Sequence, residues 1–386
     1  MENEEQISNI NQIKNLQKIV IKLQDQLSKI NEQSKIITNS NSILYSIQSD
    51  LSKVLTYFTS LIKPFLSSSF SNLKIENFNF TISMLKPIIS TQHLQNIWSM
   101  TNLKHKSFAT GSYKGELSIF SININKKTWN QDMYLQNAHD DGINTLSQVK
   151  GDKLLSGSKD TKVKLWSISS KELTQLAEFI GHTNYVKKVI TLTQHRFASC
   201  SYDKTIHIWQ GKMPYNKLSV LNDDIEISSV IQLNNDSNVL VSPGPKKTLS
   251  VWNMKNMKKE HVVKNVWTGF QNGLIELQNG LISVSSEECI TIVDMNKYAV
   301  IKHINSEEVV IKDKKISSIC LCDENTFAFV HSGWLCVIDS ETLEIVFKVE
   351  IAGEFKGSGI VVKNEGLIII TVNNKGGFTV YKRKPF

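Results

Sequence analysis

Arginine is nearly missing from this chain: Arg196 and Arg383 are the only two, and lysine supplies the rest of a net charge of +8. Base-edge readout of nucleic acid leans on arginine forks, so the charge argues little for nucleic acid. The local concentration at Lys246, Lys247, Lys255, Lys258, Lys259 and Lys264 reads as a solvated surface, with an anionic partner as the other reading. No stretch approaches the roughly 18 consecutive apolar residues of a membrane span, and the acidic, polar start from Met1 to Gln6 is not that of a signal peptide. The five cysteines are odd in number and form no C-x-x-C pair, which leaves neither a disulfide framework nor a zinc site to expect. Cys320 and Cys322, two apart in a strand, read as core thiols. A reducing compartment follows, cytoplasmic with the nucleus as the alternative. A phosphate-binding G-x-x-x-x-G-K loop, an H-E-x-x-H motif and a dinucleotide fingerprint are all missing, so no cofactor and no metal are expected.

What the chain does have is a repeat. The ten residues ending at Trp166, Gly-Ser-Lys-Asp-Thr-Lys-Val-Lys-Leu-Trp, return 43 residues later as Cys-Ser-Tyr-Asp-Lys-Thr-Ile-His-Ile-Trp, ending at Trp209. The same offset relates His139 to His182, Ser156 to Ser199 and Asp160 to Asp203. Five weaker copies are anchored on Phe120, Trp252, Val293, Ile338 and Tyr381, so that successive anchors lie 46, 43, 43, 41, 45 and 43 residues apart. That interval suits one four-stranded propeller blade of about 40 to 45 residues.

These residues resemble the WD-repeat family, whose unit starts near Gly-His, here Gly181-His182, and ends at Trp-Asp. The Asp of that pair is replaced by Ser167, Gln210 and Asn253. The resemblance implies an all-β, seven-bladed propeller over residues 77–386. It also implies two buried hydrogen-bonded tetrads, His139, Ser156, Asp160 and Trp166, and His182, Ser199, Asp203 and Trp209. The Ser, His and Asp of these sets are the residue types of a hydrolase triad. Because the trio recurs one blade on, whereas a nucleophilic site needs one oriented copy beside an oxyanion hole, no catalysis is expected. After Tyr381 too few residues remain for a fourth strand, and Asn77 to Leu85, with Phe78, Phe80, Ile82 and Met84 alternating, is the expected closing strand of the last blade.

Family geometry also implies which residues face a partner on the narrower top of the propeller. The residue before each tetrad Asp position gives Tyr113, Lys159 and Tyr202. Positions three and five after each His give Trp98 (counted from His93), Asn144, Tyr185 and Lys187. Aromatics on a rigid face are common binding anchors, and ordinary surface packing is the competing reading.

The first 65 residues are organised differently. Ile13, Val20 and Leu27 occupy heptad position a, while Leu16, Leu23, Ile30 and Ile37 occupy d, and the frame runs on until Pro64 stops it. Such a seam needs a partner helix, and a parallel homodimer is the first expectation. The run Thr38 to Ser42 could instead turn the helix back, and Ile19, Ile47 and Val54 at g suit trimers, hairpins, a heterologous helix or packing on the chain's own propeller. Residues 66–76 read as a linker. The functional expectation is a non-enzymatic scaffold that binds a peptide or domain on its top face. A helix followed by seven blades is also similar to the β subunit of heterotrimeric G proteins, which keeps a signalling subunit open. A ubiquitin-ligase adaptor is a further alternative, although no anchor has the Arg that such receptors carry after Trp-Asp; lysine-mediated nucleic-acid association is the last.

Overall fold

The computed structural model describes residues 85–91, 96–103, 107–169, 172–244, 247–266, 273–286, 289–305, 316–331, 334–350, 360–363, 368–372 and 377–383. The coiled-coil seam (Ile13 to Ile37), the linker, residues 77–84 and His93 lie outside them.

Alternating apolar and polar residues, punctuated by short polar turns, give strands here, and apart from the first, which pairs with the last, the strands pair with their sequence neighbours. They form seven antiparallel four-stranded sheets. Blade 1 runs Ile97–Asn102, Ser107–Ser112, Leu117–Asn123 and Thr128–Leu135. Blade 2 runs Ile143–Val149, Lys153–Ser158, Val163–Ile168 and Leu173–Phe179. Blade 3 runs Val186–Thr191, Arg196–Ser201, Thr205–Gln210 and Lys217–Asn222. Blades 4 to 6 repeat the pattern from Ile231 to Glu350, and blade 7 takes its inner three strands from Ile360–Lys363, Ile368–Val372 and Phe378–Arg383.

All seven anchors fall on the third strand of a blade, each opposite an apolar residue of the second strand. Phe120 faces Phe108, Trp166 faces Leu154, Trp209 faces Phe197 and Trp252 faces Leu240. Val293 faces Ile282, Ile338 faces Phe327 and Tyr381 faces Ile369. The core lies between blades rather than within them. Trp166 packs with Leu117, Ile119 and Leu154 across the first interface, and Trp252 packs with Ile206, Ile208 and Leu240 across the third. A flat sheet buries both faces only by leaning on two neighbours, which is why the ring must close.

Closure uses a different strand from the one expected. The outermost strand of blade 7 is Leu85–Ser90, paired antiparallel with Phe378–Arg383 so that Lys86 lies opposite Lys382 and Ser90 opposite Thr379. The expected strand, Asn77 to Leu85, shares only Leu85 with it. The physical reason is that an outermost strand is paired on one side and needs little alternation, and it tolerates Pro87, whose missing N–H would break a central ladder. A register shift follows Pro87. The clasp ends in a reciprocal pair: the Thr91 amide donates to the Phe378 carbonyl at 2.9 Å and the Phe378 amide donates to Thr91 Oγ1 at 2.8 Å. Ile89 joins Ile97, Phe108, Phe120, Phe378 and Val380 in the apolar cluster between blades 7 and 1.

Candidate functional site

The two tetrads form chains of hydrogen bonds. In blade 2 the Trp166 indole N–H donates to Ser156 Oγ at 2.8 Å, Ser156 Oγ lies 2.7 Å from His139 Nε2, and His139 Nδ1 lies 2.7 Å from Asp160 Oδ2. Blade 3 repeats this with Trp209, Ser199, His182 and Asp203 at 2.8, 2.8 and 2.6 Å. A carboxylate only accepts, so the imidazole proton sits on Nδ1. Nε2 then accepts from the serine hydroxyl, whose lone pair takes the indole proton. Burial pushes the His139 imidazole below its usual range, although Asp160 opposes this. Each carboxylate is further held by backbone amides: Asp160 by Asp140 and Lys162, Asp203 by Thr183 and Thr205. Burial alone would raise both carboxyls, but hydrogen bonds from the histidines, outweighing it together with the other donors, hold Asp160 and Asp203 below the ordinary carboxylate range. Ser156 and Ser199 are fully buried and their hydroxyls are committed at both ends, so neither can meet a substrate.

Blades without the full tetrad show what its loss leaves behind. Blade 4 keeps Trp252 on Ser242 at 2.9 Å, but its polar partner is Asp223, which accepts from Ser250 Oγ and from Lys259 Nζ, both at 2.8 Å. Asp223 and Lys259 escape sequence reasoning because Asp223 keeps no repeat offset and Lys259 lies on the outer strand. In blade 5 the anchor is Val293, and the hydroxyl ten residues before it, Ser283 Oγ, is buried with no hydrogen-bond partner among the described residues; Thr110 Oγ1, ten before Phe120, is in the same state. An unmatched buried hydroxyl costs about 1 to 3 kcal/mol. Ser283→Ala is therefore expected to raise the midpoint of thermal unfolding, while Ser199→Ala, at the equivalent place in an intact tetrad, lowers it; equal shifts in calorimetry would contradict the assignment.

Three groups in blade 3, His182, Asp203 and His207, have potential metal-binding atoms within 4.8 Å of one another. Both ring nitrogens of His182 are already engaged and His207 stacks on it at 3.8 Å. Burial first, with the neighbouring His182 and Lys217 acting in the same direction, pushes His207 down to about 3, so at neutral pH it is an uncharged ring. A cation there would have to break the tetrad and face Lys217, a poor fit for a metal.

The candidate partner-binding residues sit on two recurring backbone devices. The inner strands of blades 1, 2 and 3 each carry a bulge, between Ile97 and Ser99, between Ile143 and Thr145, and between Val186 and Lys188. The extra residues are Trp98, Asn144 and Lys187, and a bulge re-aims such a side chain away from the ladder. At the end of each second strand, the amides of Tyr113, Lys159 and Tyr202 donate to the carbonyls of Asn96, Gly142 and Tyr185 at 3.2, 3.0 and 3.1 Å. Ser158 and Ser201 brace these corners by donating to the carbonyls of Asp141 and Asn184 at 2.9 and 3.0 Å. These serines repeat at the same 43-residue offset, a signal that was there to be read.

Six of the seven top-face candidates come together. Lys159 Nζ lies 4.0 Å from the Trp98 ring centroid, 5.6 Å from Tyr113 and 5.7 Å from Tyr185. Trp98 and Tyr113 are 5.4 Å apart, Tyr185 and Tyr202 are 6.4 Å apart, and Lys187 Nζ lies 5.0 Å from Tyr202. The result is a continuous band of rings and ammonium groups across three blades. Tyr113 and Tyr185 remain 52% and 42% exposed. Gly142 makes room for it, since a Cβ there would lie 2.8 Å from the Tyr113 carbonyl and 3.1 Å from the Trp98 ring. Asn144 stands apart: its amide donates to the Val186 carbonyl at 2.8 Å, so it ties blade 2 to blade 3.

Among the described residues no helix is long and apolar enough to cross a membrane. The family model for the WD domain, G-beta repeat, matches residues 131–167 and 173–210. The chain is 33% identical over 116 residues to the "Ribosome biogenesis protein WDR12 homolog" of Chlamydomonas reinhardtii, a match covering 26% of this chain and 24% of that protein. It is 38% identical over 76 residues to the "Ubiquitin homeostasis protein lub1" of Schizosaccharomyces pombe, covering 19% and 10% respectively. With "Striatin" of Mus musculus it shares 25% identity over 195 residues, covering 47% and 22%. The chain thus spans about a quarter or less of these relatives. The WD40 beta propeller domain of Doa1, a crystal structure, matches with a TM-score of 0.62 at 16% identity, covering 76% of this chain and 95% of that one. The chain is thus a seven-bladed β-propeller that carries WD domain, G-beta repeats at residues 131–167 and 173–210.

Proposed function

We propose that this protein is a non-enzymatic interaction scaffold that holds a partner protein on the top of blades 1 to 3. The observation that carries the reading is the band formed by Trp98, Tyr113, Lys159, Tyr185, Lys187 and Tyr202. Rings that stay exposed on a rigid frame present contact area at little entropic cost, the usual make-up of a binding hot spot. Residues 1–65 supply the second half of the proposal: their heptad seam sets the oligomeric state, a parallel homodimer, or recruits a partner helix, in the cytoplasm or the nucleus. The relatives' names point to ribosome biogenesis and ubiquitin homeostasis, and no residue of this band selects either.

The test is affinity capture with the full chain beside a Trp98→Ala, Tyr185→Ala, Tyr202→Ala variant, read by mass spectrometry, with light scattering of both. The expected result is loss of partners in the variant at unchanged melting temperature and unchanged oligomeric state. Full recovery of the same partners would remove the top-face reading, and a monomeric full chain that captures no helical partner would remove the coiled-coil reading.

A further inference from the structure

The band contains two ammonium groups with no ion-pair partner among the described residues. Among the described residues Lys159 and Lys187 form no ion pair, whereas Lys162 pairs with Asp140 and Glu178, and Lys164 with Glu178. Of the acidic residues around the band, Asp140 is paired with Lys162, Asp141 accepts the Gly142 amide at 2.6 Å, Glu116 accepts from the Tyr134 hydroxyl, Asp160 and Asp203 are held by their histidines, and Glu226 acts on Tyr202. Lys159 and Lys187 are both half-buried, each seated over aromatic rings rather than reaching into water. Burial, with the like charge of Lys159 acting in the same direction, pushes the Lys187 ammonium below its usual range. Two half-buried like charges seated on neighbouring rings are offset when a counter-charge arrives.

Resting on the top-face reading above, we propose that the occupant of this band is an acidic peptide segment of a partner protein, with two carboxylates meeting Lys159 and Lys187 and apolar side chains lying on Trp98, Tyr113, Tyr185 and Tyr202. The ring faces already attract the ammonium groups, so the cations are held in place before the ligand comes. Their charge-assisted bonds to carboxylates then cost little ordering. A nucleic acid is the poorer match, because the band offers two cations and no arginine, while a phosphate backbone asks for a row of them.

The probes are short fluorescein-labelled peptides, one rich in Asp and Glu with interspersed Leu, its Asn/Gln isostere, and a single-stranded oligonucleotide of equal charge, titrated with the full chain by anisotropy. The acidic peptide is expected to bind and to weaken with salt. Lys159→Gln with Lys187→Gln should lower its affinity about tenfold or more, while Lys159→Arg with Lys187→Arg keeps it, and circular dichroism reports the fold of both. Equal binding of the isostere, or an acidic peptide insensitive to the glutamine pair, would overturn the proposal, as would tighter binding of the oligonucleotide. If partner capture is still lost in the Trp98, Tyr185 and Tyr202 variant after such a result, the top-face reading stands and only the acidic ligand falls.

Discussion

A chain that starts at Thr91 is expected to lose cooperative thermal unfolding and to aggregate, whereas one that starts at Leu66 melts as a single unit. The deletion removes Leu85–Ser90, every residue of the blade 7 outer strand. Phe378–Arg383 then becomes an open edge whose amides and carbonyls have lost their ladder. Exposed edges of apolar strands template association, and the loss of Ile89 opens the cluster that joins blade 7 to blade 1. Differential scanning calorimetry and sedimentation of the two chains decide the matter. Indistinguishable melting would mean that Leu85–Ser90 does not close the ring.

His182→Ala should lower the melting temperature by several degrees, and Tyr202→Ala, though only one residue from Asp203, should leave it in place and weaken partner capture. The histidine joins Ser199 to Asp203 and stacks on His207. Without it a carboxylate with a side chain 6% exposed keeps only its backbone and Thr205 donors. Unmatched buried polar groups cost about 1 to 3 kcal/mol each, or roughly 2 to 4 °C per kcal/mol in a domain of this order. Tyr202 lies at the rim, where truncation changes stability by about 0.5 kcal/mol or less, yet a hot-spot ring can be worth about 2 kcal/mol of binding. Melting curves of both variants, with capture assays alongside, separate the two roles; a fully stable His182→Ala protein would count against the tetrad as a stabilising unit.

Much of this was legible because the repeat writes the same physics several times. Trp166, Trp209 and Trp252 each have a serine ten residues earlier, and that spacing alone places the third strand against the second. Even Val293 and Ile338, with no polar signature, fell in register because the interval between blades is set by strand and turn lengths. What could not be read lies where one blade borrows from another part of the chain. The Asp223–Lys259 pair crosses between segments with no repeat offset. The closing strand, Leu85–Ser90, carries Pro87 and adjacent apolar residues at Ile88 and Ile89 in place of the alternation of Phe78, Phe80, Ile82 and Met84, so a search for period two passes over it. The candidate partner-binding residues came from family resemblance one by one, but the meeting of six of them in a single band depends on how neighbouring blades lie and on the bulges at Trp98 and Lys187, neither of which a linear pattern encodes.

The clasp between Thr91 and Phe378 joins residues 287 apart in sequence. Closing so long a loop costs only roughly 2 kcal/mol more than closing one blade-length, because the entropy grows with the logarithm of length. The burden falls on time instead of equilibrium: contacts of such separation form slowly, and during synthesis Leu85–Ser90 must wait, unpaired, while six blades emerge before its partner strand exists. Through that interval the growing chain carries an unattached strand at one end and an unfinished stack of sheets at the other, a state in which self-association competes with completion.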